Sequence, residues 1–506
     1  MHFIIGVDIG TSGTKAIAFT SEGHIMANAY VSYNPLTGLA GYHELQPDVL
    51  FNAVITCIQN VVQQIGTVND SLAGISFSAA MHSLIAVDKT GLPLTNAITW
   101  ADARSMAHAD ALKNTPVGKD IYRYTGTPVH PMSPLCKIMW IREHQPDVFA
   151  AAAKFISIKE YIFYRLFGQY LIDHSIASCT GLFDIYKKTW YEPALQTAGI
   201  TAGHLSQPVS TTHIIKGLKK EYAIQTGISE STPFIIGASD GCLANLGSNA
   251  TQPGDMSVTI GTSGAVRMIT THPEYDEQER IFNYILTNDL YVSGGAINNG
   301  VVLLKWYAEN FLQRKFTSAA DLEWFVQQAA QAPPGADGLL FLPYLLGERA
   351  PVWDAGAKGV FIGVHASHTQ SHFMRAIVEG INYALYQVAQ SVQETIGAIQ
   401  NIYASGGFIN SPLWLQWMAD LFGKDITVIN KEDASSIGAA ILGFRATNIF
   451  KKDAFAVFSG THQIYKPNRL LHSHYQQYYK VYASLYNKLK NDFHTLNAIR
   501  ESINKV

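Results

Sequence analysis

The pentapeptide Ile-Gly-Thr-Ser-Gly occurs twice in this chain, at Ile9 to Gly13 and again at Ile260 to Gly264, near the start of each half. In both copies one apolar run precedes the turn (Phe3 to Val7; Met256 to Thr259) and another follows it (Ala16 to Phe19; Ala265 to Ile269). That is the pattern of a hairpin tip joining two buried strands, and its repetition predicts a duplicated architecture. The chain has 506 residues, more than one hydrophobic core usually absorbs. The glycine-rich stretch Gly237 to Gly247 places the main boundary near Gly247, which gives an N-terminal domain of residues 1–247 and a C-terminal domain of residues 248–506.

Strand-like segments (Leu72 to Ser78, Leu84 to Val87, Phe234 to Gly237, Tyr291 to Ser293, Ile402 to Ala404) alternate with helical ones (Leu50 to Ile65, Gly300 to Phe311, His372 to Ile396, Leu413 to Leu421). The mixture predicts α/β layers with helices on both faces of mixed sheets. The cluster Gln331 to Gly335 reads as a turn, and the tail from His474 as a terminal helix, because Tyr478, Tyr482, Leu485 and Leu489 follow helical spacing. A second echo, Ser293-Gly294-Gly295-Ala296-Ile297-Asn298 against Ser405-Gly406-Gly407-Phe408-Ile409-Asn410, lies within the second half, each copy followed by a helix-like stretch.

Only 15% of residues are charged, the net charge is −3, and no Lys/Arg block occurs. Nucleic acid and anionic membrane surfaces therefore have no electrostatic footprint, and a small-molecule partner is expected. The N-terminus reads directly as a strand, with no signal pattern, and apolar runs stop short of a membrane span. Cys57, Cys136, Cys179 and Cys242 show no zinc or disulfide spacing. A cytoplasmic protein with reduced thiols is the expectation, and a homodimer is left open.

The first candidate site is Asp8-Ile9-Gly10-Thr11-Ser12-Gly13-Thr14-Lys15. Glycines let backbone N–H groups approach phosphate oxygens, hydroxyls add donors, and Asp8 suits a hydrated Mg²⁺. A plain tight hairpin is the alternative for one copy. The second copy, with Gly261 and Thr262, suggests two tips closing on one polyphosphate from opposite sides. Neither tip matches a Walker loop or a dinucleotide fingerprint. In Phe234 to Gly241 a strand runs into Asp240, but Gly237-Ala238-Ser239-Asp240-Gly241 also satisfies G-x-S-x-G, so Ser239 of a serine hydrolase rivals Asp240. Finally, Met81-His82 after a buried strand, with Trp100, Asp102 and Arg104 close behind, offers an apolar wall and hydrogen-bonding groups that suit a polyol.

The paired tips resemble the superfamily of actin, heat-shock chaperones and sugar kinases. Met132 to His144, Gly359 to Gly363 with His372-Phe373 and Ala376 to Glu379, and Ala404-Ser405-Gly406-Gly407 resemble motifs of its FGGY carbohydrate kinases. The resemblance implies two related ribonuclease H-like ATPase domains of the actin/hexokinase type with a cleft between them, and ATP with Mg²⁺ as donor and metal. It implies Asp240 as catalytic base, adenosine contacts at Gly406, Gly407 and Asn410, and a sugar pocket at Met81, His82, Trp100, Asp102 and Arg104. The turn Gly347 to Trp353 would lie near the cleft by the same resemblance, a salt-bridged turn being the other reading. Five segments, among them Ser78 to Ser83, Ile98 to Ser105 and Thr125 to Met132, resemble family members that act on D-gluconate, with D-xylulose as the alternative acceptor. A sugar acid needs a seat for its carboxylate, and Arg104, His130 and Lys159 are the candidates. A non-catalytic ATP switch is the rival of another class; it predicts no acceptor pocket.

Overall fold

The computed structural model describes residues 2–38, 41–66, 71–429, 433–449 and 462–503. Two mixed sheets dominate it. The first has six strands in the order Ile214–Ile215, Phe234–Ser239, Leu72–Ala79, Phe3–Ile9, Gly13–Thr20, Ile25–Ser32. The second has seven, in the order Phe282–Ile285, Tyr291–Ile297, Gly264–Thr270, Asp255–Ile260, Asn401–Ser405, Ile426–Ile429, His462–Tyr465.

The sheets are built alike. Each opens with an antiparallel hairpin (Phe3–Ile9 with Gly13–Thr20; Asp255–Ile260 with Gly264–Thr270). The first strand of each hairpin pairs in parallel with a later strand, Leu72–Ala79 or Asn401–Ser405. A further parallel strand follows, and an antiparallel edge strand closes that side. Phe282–Ile285 is the extra strand of the second sheet. The central strands are near-continuous apolar runs because helices cover both faces; in Phe3–Ile9 only Asp8 escapes full burial. The two copies of the glycine echo take different backbone structures. Gly294 and Gly295 lie inside the strand Tyr291–Ile297, whereas Gly406 and Gly407 lead from Ser405 into a 3₁₀ turn, Gly407–Asn410.

The last helix after each sheet's outer parallel strand seats on the opposite half. Cys242, Leu243 and Leu246 of helix Asp240–Gly247 belong to one core with Met256, Val258 and Val266 of the second sheet. Ile437, Ala440, Ile441 and Phe444 of helix Ala434–Ala446 pack on Ile4, Ile17 and Phe19 of the first. The two helices cross with backbones in contact: a Cβ at Gly438 would lie 2.0 Å from Leu243 O, and one at Gly247 would lie 1.8 Å from Ala434 O. A long helix, Arg469–Ile503, closes the chain, with Tyr475, Tyr482 and Leu485 buried in the second core. No described helix is long and apolar enough to cross a membrane.

Candidate active site

Both hairpin tips open on one cleft of about 280 Å³, bordered by Thr11 from the first and by Gly261 to Gly264 from the second. Asp240 lines it as well. Asp240 is brought there by an irregularity in its strand. The pairing of Phe234–Ser239 with Leu72–Ala79 shifts register between Ile235 and Ala238, and Gly237 at φ 72° sits at that step, where a Cβ would collide with Phe77 O at 1.7 Å. Only glycine permits the bulge that aims the strand end. Asp240 then opens the next helix and accepts a hydrogen bond from Gly241 N at 2.6 Å. Burial holds its carboxyl above the ordinary carboxylate range, against the opposing effect of Arg267.

Asp8 lies across the strand from Ser78 and accepts from its hydroxyl at 2.6 Å. Burial, helped by the charges of Asp240 and Asp433, raises its carboxyl to about 6. Asp240 and Asp433 stand near enough to Asp8 to raise its carboxyl, and a carboxylate is the hard oxygen donor that suits a hydrated divalent cation, but among the described residues the three do not converge as one ligand set. Lys15 forms an ion pair with Asp433 across the two halves. Gly406, at φ 93°, lets its turn approach the second tip, since a Cβ there would lie 2.5 Å from Ile260 O. Gly407 and Gly261 face space with nothing within 4 Å of a built Cβ, which leaves room for a ligand; Asn410 is exposed and donates to Gly407 O.

On another wall Met81, His82 and Trp100 line the cleft, joined by Met132 and Trp353. His82 adopts φ 66°, a strained conformation for a side-chain-bearing residue. Its Nδ1 bonds to Cys179 O at 2.7 Å, which fixes the proton there, while Nε2 is left as an acceptor 3.5 Å from the Tyr284 hydroxyl. Burial lowers its pKa to about 3, so the ring is neutral. Lys137, 1% exposed, holds this wall together: its ammonium donates to the carbonyls of His82 and Thr99.

Other expected residues stand elsewhere. Asp102 is buried and accepts from His43 N at 2.7 Å and from the Arg104 guanidinium, and Arg104 also pairs with Glu44 and lies over Tyr42 at 3.7 Å. Lys159 is paired with Asp173 at 2.6 Å and donates to Ala238 O. His130 is buried and held neutral, accepts from Met132 N at 3.2 Å, and lies edge-on to Trp353. Thr14 is fully buried against the Tyr33 hydroxyl, and Ser12 is exposed at the tip. None of these lines the cleft. Ser239 is fully buried, and its hydroxyl bonds to that of Ser175; among the described residues no histidine bonds to it as the base a serine nucleophile requires.

Sequence reasoning passed over Arg267 and Tyr284, which line the cleft, and left Arg349 inside a turn of undecided role. The available signal was parity. Ala265 and Arg267 share one face of their strand, and Phe282 and Tyr284 share one of theirs, so a charge between apolar neighbours marked the face turned to the cleft.

The FGGY family of carbohydrate kinases matches the chain twice, with its N-terminal domain over residues 3–247 and its C-terminal domain over residues 256–447. A gluconokinase of Bacillus licheniformis is 42% identical over 97% of both chains. Among solved structures, a gluconate kinase from Lactobacillus acidophilus superposes at TM-score 0.91 with 34% identity, covering 98% of this chain and 99% of its own. A ligand-bound xylulose kinase from the same organism superposes at TM-score 0.92 with 33% identity, covering 98% and 100%. With two family domains in order and a relative of this identity along nearly its whole length, the chain belongs to the FGGY family of carbohydrate kinases, ATP-dependent phosphotransferases of two α/β domains.

Proposed function

We propose that this kinase transfers the γ-phosphoryl group of ATP to the terminal hydroxyl of D-gluconate, giving 6-phosphogluconate, with Asp240 as the general base. The observation that carries the reading is the shared cleft, in which Asp240 stands with both hairpin tips and the Met81, His82 and Trp100 wall. The hydroxyls of Thr11 and Thr262 and the tip amides receive the phosphates, and Gly406, Gly407 and Asn410 border the adenosine. Asp240 orients the acceptor hydroxyl and takes its proton as the new P–O bond forms and the bond to the β–γ bridging oxygen breaks, releasing ADP. Asp8 would hold a hydrated Mg²⁺, which would offset charge on the phosphoryl oxygens. The two halves divide at Gly247, in line with the extents of the family matches. The reaction belongs in the cytoplasm, where ATP is supplied.

D-Xylulose is the second reading, favoured by the xylulose kinase that superposes on the whole chain. A coupled assay of kcat/KM for D-gluconate and D-xylulose decides between them. A preference for gluconate is expected; a preference for xylulose overturns the assignment.

A further inference from the structure

Two guanidinium groups line the cleft, Arg267 near the Asp240 carboxylate and Arg349 near those of Glu348 and Asp240, and each keeps buried N–H groups without an acceptor. Arg267, on the second strand of the second hairpin, has its Nε and Nη1 buried and unpartnered. Arg349 is 8% exposed; one terminal nitrogen donates to Ile297 O at 3.0 Å, while Nε has no partner. Its guanidinium lies over the Trp100 ring at 4.7 Å, on the acceptor wall. Glu348, the adjacent acid, already accepts from the backbone of Asn298 and Arg349 and from the Asn299 side chain.

Four other buried cations among the described residues are satisfied internally. Lys159 has Asp173, Arg104 has Asp102 and Glu44, Arg375 has Glu379, and Lys137 has backbone carbonyls. Leaving buried N–H donors without an acceptor is costly, so such donors in a ligand cleft point to an acceptor that arrives with the ligand. The two cations also sense each other: burial and Arg267 hold Arg349 down, at about 10, against the opposing charges of Glu348 and Asp240.

We infer that Arg267 and Arg349 seat the carboxylate of the acceptor and so set the preference for a sugar acid over a neutral sugar. This rests on the gluconate reading of the cleft and supplies its specificity determinant. A planar guanidinium matches a carboxylate with two parallel N–H···O bonds, and the Trp100 ring beneath Arg349 holds that group against the cleft wall. The γ-phosphoryl group is the other anion that enters the cleft, but it has the amides and hydroxyls of the two tips, whereas Arg349 stands beside His82 and Trp100. A neutral analogue leaves the unpartnered N–H groups buried and is rejected for that reason.

The test compares kcat/KM for D-gluconate with that for D-gluconamide, which has the same chain and no charge, in the wild type, Arg349→Met, Arg349→Lys and Arg267→Met. Loss of a charged hydrogen bond is expected to lower the gluconate-to-gluconamide ratio by about 10- to 100-fold, mostly through KM, in each methionine variant. Arg349→Lys is expected to fall between wild type and Arg349→Met, because it keeps charge and loses the planar fork. Affinity for a non-hydrolysable ATP analogue, measured on the same samples, shows that they are folded, and Arg267→Met carries the test if Arg349→Met is not. Equal losses for both substrates would assign the arginines to phosphoryl transfer or to structure and overturn the seat. A wild type that favours gluconate, with variants that keep its ratio, overturns the seat alone; a wild type that favours D-xylulose overturns the seat together with the gluconate reading.

Discussion

Asp8 and Thr259 occupy the same position of the duplicated hairpin, each one residue before Ile-Gly-Thr-Ser-Gly and each bonded to a serine of the adjacent parallel strand: Asp8 to Ser78 at 2.6 Å, Thr259 to Ser405 at 2.9 Å. The duplication kept the geometry and put the charge in one copy only. In the proposed reading, cation binding therefore belongs to the first tip. The proton competes with the metal, so the apparent Mg²⁺ affinity is expected to fall as pH drops through about 6, the value to which the Asp8 carboxyl is raised. Folded Asp8 keeps its proton up to about 6, whereas an ordinary aspartate releases it near 3.8, so stability from this group falls as pH rises across that window and is lowest above it. Asp8→Asn is expected to stabilise the metal-free protein by about 2 kcal/mol above that window and to make little difference below it, while turnover is lost. Thermal melts across pH, beside Mg²⁺ titrations, check both signs.

Asp240→Asn is expected to lower kcat by about 10²- to 10⁴-fold with little change in ATP-analogue affinity, because the proposed base acts on the acceptor. Ser239→Ala, which alters a buried hydroxyl pair, should keep most of the activity. Because burial raises the Asp240 carboxyl, the acid limb of the kcat profile should lie above the ordinary carboxylate range. An active Asp240→Asn with a dead Ser239→Ala would refute the assignment of this segment.

Lys137 pins the carbonyls of His82 and Thr99 together from within the helix Pro134–His144. Lys137→Met leaves both without that donor, at about 1–3 kcal/mol for each that stays unsatisfied, and should raise the acceptor KM at least about tenfold with the nucleotide affinity little changed. Burial lowers the ammonium from 10.5 to about 7, so the unfolded chain holds the proton the folded one has lost, and stability from this group rises with pH between those values. The variant's melting profile should lack that rise. Matching losses for acceptor and nucleotide would show general misfolding instead.

Gly438→Ala places a Cβ against a backbone carbonyl that has nowhere to go, 2.0 Å away. Destabilisation by about 2 kcal/mol or more is expected, as for other overpacked contacts. Small-angle scattering should also show less compaction on adding both substrates than in the wild type, since the crossing joins the two halves. Undiminished stability and closure would show that the crossing tolerates separation.

The repeated tips were legible because a duplicated motif carries its own control: two copies of one turn in one chain. The strand Phe3–Ile9 and the helix Gln370–Ile396 were legible from apolar runs and spacing that local physics dictates. Side-chain direction was not. Trp100, Asp102 and Arg104 read as one pocket, yet the fold turns Trp100 to the cleft and closes Asp102 and Arg104 on each other and on Glu44, a residue far earlier in the chain. Arg267 and Arg349 acquire their meaning from long-range pairing, the one through a hairpin face and the other through a ring from the first half, and no local window contains both partners.

The exchanged helices bear on how the molecule holds together as a covalent object. Each sheet's cover is encoded in the other half, so a fragment cut at Gly247 would carry away Cys242, Leu243 and Leu246, which the second core needs, and would leave Ile4, Ile17 and Phe19 bare. Such fragments are complementary pieces of one folding unit. They are expected to be insoluble apart and to reassemble when produced together, as a domain-swapped pair would, with the linker between helix and hairpin serving only to keep the two copies at high local concentration.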